Sequence, residues 1–232
     1  MVKNVKKIEL NDSSLVAFDF DGTLTTAKYR SSWQAVHEYF GTWVSHGEPA
    51  LQKFLRNDIT YSEFCKLDAK AWINKTEVEY RRALDTIELR EGVDEFIDFL
   101  KNYECILVII SMGLGDIVEK FANNFNFDYW IANNIIRRNN IITGEVEINI
   151  DLGEKGKILE DILQQFQIKP QNSIAIGDAS ADLEMFDVAG ISIAIEPHSE
   201  RVAAAADFVS HTTNLKDIIS FFDVENYKSF QL

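Results

Sequence analysis

Short apolar runs recur along the chain with little polar alternation. Residues 15–20, 105–110, 173–176, 191–195 and 207–209 are rich in β-branched side chains. Continuous runs of this length mark strands buried on both faces, as in a parallel sheet. Between them the apolar spacing changes to the helical period. Val93, Phe96, Ile97 and Leu100 share one helical face, as do Ile117, Val118 and Phe121, and then Ile158, Leu159, Ile162, Leu163 and Phe166. This alternation predicts an α/β fold with a doubly wound, Rossmann-like parallel sheet at its core.

Two segments interrupt the alternation. Residues 28–88 contain no good strand but several helical stretches, at 32–40, 49–55, 61–73 and 76–87. Thr76 followed by Glu79 is a capping-box signature for the last of them. The expected organisation is a core domain of residues 1–27 and 89–232 with an inserted helical cap domain, 28–88. The second interruption is 129–150. Ile135-Ile136, then Arg137-Arg138-Asn139-Asn140, then Ile141-Ile142 reads as strand, turn, strand, and Val146, Ile148 and Ile150 alternate with polar residues. This predicts a small β-hairpin flap added to the core.

Composition narrows the class. With 232 residues and 46% hydrophobic content, the chain can bury one sizeable core plus a small accessory unit. A net charge of −14 disfavours nucleic acid as a partner, since phosphate backbones need a positive face. The two cysteines, Cys65 and Cys105, are far apart and read as small core residues rather than a disulfide or metal site. The opening residues lack the apolar centre of a signal peptide. The longest apolar run, 105–110, is too short to cross a membrane. The expectation is a soluble cytoplasmic protein that binds no membrane.

Three of the apolar runs end in polar residues. The first ends at Asp19 and Asp21, the second at Ser111-Met112-Gly113, and the third at Gly177-Asp178 with Asp182 soon after. In an open α/β sheet, ligands bind beyond the carboxyl ends of the strands, and parallel strands bring those ends to one edge. Two bare carboxylates as close as Asp19 and Asp21 would repel each other. Mg²⁺, which accepts carboxylate, carbonyl and water oxygens, relieves the conflict, and Asp178 adds an acid at the same edge. The four histidines, His37, His46, His198 and His211, are scattered and form no zinc set. A phosphate would complete the charge balance. Ser111 offers a hydroxyl, and the Met112-Gly113 turn presents main-chain N–H groups where a helix begins. Of the two lysines preceding the helix with Ile158, Lys155 projects onto its apolar face and Lys157 onto its wet face, so Lys155 is the candidate phosphate cation.

These segments together resemble the haloacid dehalogenase-like phosphatases. Asp19-Phe20-Asp21-Gly22-Thr23-Leu24-Thr25 is similar to their first motif, Ser111 to the second, Lys155 to the third, and Gly177-Asp178-Ala179-Ser180-Ala181-Asp182 to the fourth. The resemblance implies a Mg²⁺-dependent phosphomonoesterase acting on a small phosphorylated metabolite. It implies Asp19 as nucleophile and Asp21 as general acid and base. It further implies Mg²⁺ held by Asp19, the Asp21 carbonyl and Asp178, with Asp182 orienting Lys155 or metal-bound water. The phosphoryl group would rest on Ser111, Met112, Gly113 and Lys155. The order of helical insert, hairpin and the GEKGKILEDIL stretch looks most like the phosphoserine phosphatase branch. That branch has a glutamate where this chain has Lys28, a glycine at Met112 and an asparagine at Ala181. A positive Lys28 favours an anionic or neutral substrate. Lys28 and Arg30 are the expected substrate readers of the cap, while Ser31 or Ser32 caps the helix bearing Trp33. The alternatives are phosphoserine phosphatase itself, a phosphotransferase such as a sugar-phosphate mutase, and a metabolite-sensing binding module without turnover.

Overall fold

The structure, a computed structural model, describes residues 7–10 and 14–223. The amino-terminal stretch considered for a leader falls largely outside them. Seven strands form one sheet in the order β4-β3-β2-β1-β5-β6-β7. They are β1 (Leu15–Phe18), β2 (Ile106–Leu114), β3 (Tyr129–Arg138), β4 (Ile141–Glu147), β5 (Ser173–Gly177), β6 (Ile191–Ile195) and β7 (Phe208–Ser210). Neighbours pair in parallel except β4, which runs antiparallel to β3.

The strands are buried on both faces because helices cover both. Alternate residues of β1 point to opposite layers. Leu15 and Ala17 pack with Leu159, Ile162 and Leu163 of α7 (Lys155–Phe166) and with Met185 and Phe186 of α8 (Leu183–Val188). Val16 and Phe18 pack into the other layer, with Phe96 and Leu100 of α5 (Val93–Asn102) and Val118 and Phe121 of α6 (Gly115–Asn124). β1 lies between β2 and β5, and the chain winds to opposite sides of it. That makes the carboxyl ends of β1 and β5 the switch point of the sheet, where a crevice opens.

The insert between β1 and α5 is helical, as its pattern predicts: α1 (Ser32–Phe40), α2 (Glu48–Leu55), α3 (Tyr61–Lys70) and α4 (Glu77–Leu84). Local chemistry sets its ends. Ser31 caps α1, accepting from the Gln34 N–H, and Gly41 closes it at φ 66°. Thr76 and Glu79 form the expected capping box on α4, and Thr60 with Glu63 forms a second on α3. The insert does not keep a separate core. Trp33, Val36, Trp72 and Tyr80 belong to the same continuous cluster as Phe18 and Phe96.

Residues 129–150 contain the expected antiparallel hairpin, whose first strand extends further back into the sheet than its pattern shows. β3 is itself a sheet strand, pairing with β2 from Tyr129 to Ile131 before it turns with β4. The turn at Asn139-Asn140 has φ 52° and 61°, both in the left-handed region that asparagine tolerates. The free edge of β4 is also used. Ile142 exchanges main-chain hydrogen bonds with Asn74 and Lys75, and Thr76 bridges Ile141, so the insert closes the sheet edge. Period alone marks strands here but not what they pair with.

Asn133 ties these parts together. It is fully buried on β3. Its amide Nδ2 donates to the Tyr61 hydroxyl, the Met112 carbonyl and the Ile150 carbonyl, and Oδ1 accepts from the Asn149 and Ile150 N–H groups. Asn133→Ala should strand several buried polar groups at about 1–3 kcal/mol each. A chain of this size loses roughly 2–4 °C per kcal/mol, so melting by calorimetry should fall by about 5 °C or more. A drop under about 2 °C would show that the knot contributes little.

Candidate active site

Asp19 directly follows β1, and its N–H still donates to the Ile176 carbonyl of β5 at 2.9 Å. The first acid is therefore held in sheet register. The next residues turn sharply, with the N–H groups of Thr23, Leu24 and Thr25 all aimed at the Phe20 carbonyl. Gly22 makes the turn at φ 83°, and a Cβ there would lie 2.5 Å from Asp178 Oδ2. Only glycine allows both the backbone angle and the approach of the Asp178 carboxylate. Buried Arg90 clamps the turn, donating from Nε to the Gly22 carbonyl at 3.2 Å and pairing with Glu196 beyond β6.

Parallel register then gathers the acids. Lys155, 2% exposed at the start of α7, donates from Nζ to Asp19 Oδ1 and to Asp182 Oδ1, each at 2.7 Å. The second oxygen of Asp182 accepts the N–H groups of Asp178 and Ala179, at 3.0 and 2.9 Å. Asp182 thus orients Lys155 and shapes the loop after β5. Thr23 donates to Asp178 Oδ1 at 2.8 Å. Asp21 stands apart from this group, held by the Ser32 hydroxyl at 2.8 Å from its Oδ2. Ser32 also accepts the Leu114 N–H at 2.9 Å, which links α1 to the end of β2.

Electrostatics follow from burial. Asp19 is pushed up to about 7 by burial and then by Asp182, against the pull of Lys155. Burial, with Asp19 and Asp182 next, raises Asp178 well above the carboxylate range. Asp21 is raised by burial and partly restored by its Ser32 bonds. Burial lowers Lys155, yet Asp182 and Asp19 outweigh it, so its ammonium is held above its ordinary value. Three acids around one lysine leave an excess of negative charge. Carboxylate oxygens of Asp19, Asp178 and Asp182 lie within 4.8 Å of one another. Asp178 Oδ2 is buried and makes no hydrogen bond, although His198 Nε2 is 3.2 Å away. An orphaned buried oxygen within an oxygen-only, acid-rich set fits a hard divalent cation.

A cavity of about 520 Å³ opens above these groups. Asp19, Asp21, Asp178, Lys155 and Ser111, Met112 and Gly113 form its floor; these last three, expected as a turn, are instead the end of β2, where its register with β3 shifts. Gly113 donates its N–H to Ser111 Oγ at 3.0 Å. A Cβ on Gly113 would sit 2.4 Å from Asp21 Oδ2 and 2.7 Å from Ser32 Oγ, so the bare glycine makes the space those groups fill. The insert supplies the opposite wall with Arg30, Trp33, Tyr61 and Phe64. Lys28, expected beside Arg30, does not line the cavity; its ammonium pairs with Glu88 on the surface. Thr23, Ser32, Arg90, Asn133 and Tyr61 are site residues that the sequence pattern did not single out as such. His198, set aside with the scattered histidines, lines the cavity rim. Thr23 and Ser32 carried a positional signal, adjacent to the acid motif and to the helix cap, whereas Arg90, Asn133 and His198 reach the site only through folding.

Residues 14–190 match the family model described as haloacid dehalogenase-like hydrolase. The chain is 34% identical over 114 residues to the phosphoserine phosphatase of Methanocaldococcus jannaschii, covering 49% of this chain and 54% of the relative. It is 27% identical over 184 residues to that of Archaeoglobus fulgidus, covering 79% and 52%. The chain thus spans about half the length of these curated relatives. A solved structure described as a phospho-aspartyl intermediate analogue of phosphoserine phosphatase superposes with a TM-score of 0.80 at 24% identity, covering 91% of this chain and 99% of that one.

The raised acids set a pH dependence for the metal-free protein. Asp19 rises from an ordinary 3.8 to about 7, so between these values the folded state holds a proton that the unfolded state has lost. Stability conferred in this way declines as pH climbs through that window. Each tenfold difference in proton affinity between the two states is worth about 1.4 kcal/mol. With chelator present, melting should fall by several degrees between about pH 5 and about pH 8. Asp178→Asn, which removes one of the crowded charges, should melt higher than wild type at the alkaline end and flatten the slope. Identical slopes in both proteins would contradict the charge excess.

Proposed function

The chain belongs to the haloacid dehalogenase-like hydrolases, and on that premise we propose that it is a Mg²⁺-dependent phosphomonoesterase of small phosphorylated metabolites. The observation that carries this reading is the placement of Asp19, Asp21 and Lys155 at one cavity floor, beside buried Ser111. Asp19 shares one oxygen with Lys155, which leaves the other to attack phosphorus. A bond forms between that oxygen and phosphorus as the ester P–O bond breaks, giving an aspartyl-phosphate. Asp21 carries a proton more readily than an exposed acid does, because burial raises it. It gives that proton to the departing alkoxide. Water then attacks the aspartyl-phosphate, Asp21 recovers a proton from it, and phosphate leaves Asp19 free again.

Lys155 and Ser111 hold the transferring phosphoryl group against the floor, together with main-chain N–H groups of Met112 and Gly113 at the end of β2, the latter turning to it from Ser111 Oγ. Asp182 positions Lys155 through its 2.7 Å contact. Asp19 and Asp178, with the main-chain carbonyl of Asp21, would hold Mg²⁺, which neutralises the crowded carboxylates and the phosphate when bound. Residues 28–88 act in this reading as a cap that excludes bulk water. The two cysteines are free and buried, and among the described residues no helix is long and apolar enough to cross a membrane. The free cysteines support a cytoplasmic setting.

Phosphate release from 4-nitrophenyl phosphate tests the assignment. Asp19→Asn should lose at least about 10³-fold in kcat, as removal of a nucleophile does. EDTA should abolish turnover and excess Mg²⁺ restore it. Asp21→Asn should slow both steps while leaving KM within a few fold. Full activity of Asp19→Asn would sink the nucleophile assignment, and full activity in EDTA would sink the metal assignment.

A further inference from the structure

The floor of the cavity is built for phosphate; its far wall has different chemistry. Trp33, Tyr61 and Phe64 are all buried and face the opening with Met112. Every carboxylate lining the cavity, Asp19, Asp21 and Asp178, belongs to the floor. Each takes a donor on one oxygen, from Lys155, Ser32 and Thr23 respectively, and none of them stands on the insert side. The insert's one charged contribution among the described residues is Arg30. Its guanidinium has no ion pair or hydrogen-bond partner among the described residues, while its main-chain N–H is held by Gln34.

An ammonium group on a substrate needs an acceptor, and the wall offers it no carboxylate, only the neutral hydroxyls of Ser31 and Tyr61, which already take the Gln34 N–H and Asn133 Nδ2. The main-chain carbonyl of Met112 already takes three donors: Tyr61 hydroxyl at 2.6 Å, Trp33 Nε1 at 3.1 Å and Asn133 Nδ2 at 3.2 Å. A carbonyl oxygen has two lone pairs, so this one is saturated. Aromatic rings can attract cations, but Arg30 places a fixed positive charge at the same wall. A carboxylate or second phosphate, by contrast, finds an unpaired guanidinium with a forked donor geometry.

Resting on the phosphatase reading, we infer that the cavity selects a phosphate monoester whose body is flat or apolar, that bears an anionic group for Arg30, and that carries no ammonium. The aromatic wall takes the body and Arg30 sets the preference at the open end. Phosphoserine, the substrate named for the relatives above, is therefore a poor substrate for this chain.

Phosphate release is compared for O-phospho-L-serine, its deaminated analogue 3-(phosphonooxy)propanoate, phosphocholine, phenyl phosphate and 4-carboxyphenyl phosphate. Removal of the ammonium should raise kcat/KM at least tenfold. Wild type should favour 4-carboxyphenyl over phenyl phosphate, and Arg30→Ala should reduce that ratio about tenfold. Comparing the ratio in both proteins cancels the difference in leaving-group acidity. Arg30 lies on an exposed loop, and circular dichroism verifies that the variant folds. The inference is overturned if phosphoserine or phosphocholine matches the deaminated ester, or if the ratio survives in Arg30→Ala. If wild type releases phosphate from none of the five, the hydrolase reading fails instead. The ligand order is then read from calorimetric affinities of the same esters, so the two failures separate.

Discussion

Crowding of negative charge at one edge of a parallel sheet is the constraint that organises this molecule. Asp19, Asp178 and Asp182 converge because β1 and β5 are register neighbours, and their carboxylate oxygens lie within 4.8 Å of one another. Alone they would repel strongly at this burial. One lysine, Lys155, bridges two of them and leaves the third with an unpartnered oxygen. The remaining imbalance suits a divalent cation and a phosphate, whose opposite charges cancel each other within the site. The surrounding details serve that arrangement. Gly22 lets Asp178 approach, Thr23 holds it, and Arg90 keeps the turn from relaxing.

The second organising point is a single carbonyl. Met112 lies in the last residues of β2, between the cavity floor and the insert. Trp33 and Tyr61 of the insert and Asn133 of β3 all donate to it. Ser32 adds a parallel link, touching both Asp21 and the Leu114 N–H. The insert is therefore fastened to the catalytic floor through groups that also shape the cavity. Its hydrophobic core is continuous with one face of the sheet, and its backbone covers the edge of β4. Movement of the insert as a lid would have to break these polar contacts before parting the apolar ones.

The cavity divides its chemistry between its two sides. The floor is made by strand ends and the start of α7 and contains every titratable group of the proposed phosphoryl transfer. The wall is made by the insert and contributes aromatic surface and Arg30. On the proposed function, reaction type belongs to the sheet and substrate preference to the insert. Family membership, which rests on residues 14–190, speaks to the first far more than to the second.

Much of the core was legible from local signals. Unbroken apolar runs marked β1, β2, β5, β6 and β7 because buried parallel strands need no polar face. The Thr76 and Glu79 pair marked a helix start, and the apolar register of α7 singled out Lys155 over Lys157, since a lysine on the buried face must find acids. Residues whose roles depend on distant partners were not legible. The hairpin of β3 and β4 was legible, but not the pairing of β3 with β2, because alternation shows strand character and not its neighbour. Lys28 looked like a substrate reader until Glu88, 60 positions on, took its charge. Asn133, Arg90 and His198 carry no local signal. The sequence by itself determined the strands, the helices and the acids at the strand ends, because period and motif act within a few residues. Tertiary structure alone decided which acids share Lys155, what saturates the Met112 carbonyl and what lines the far wall, because those depend on contacts between segments that chain order keeps apart.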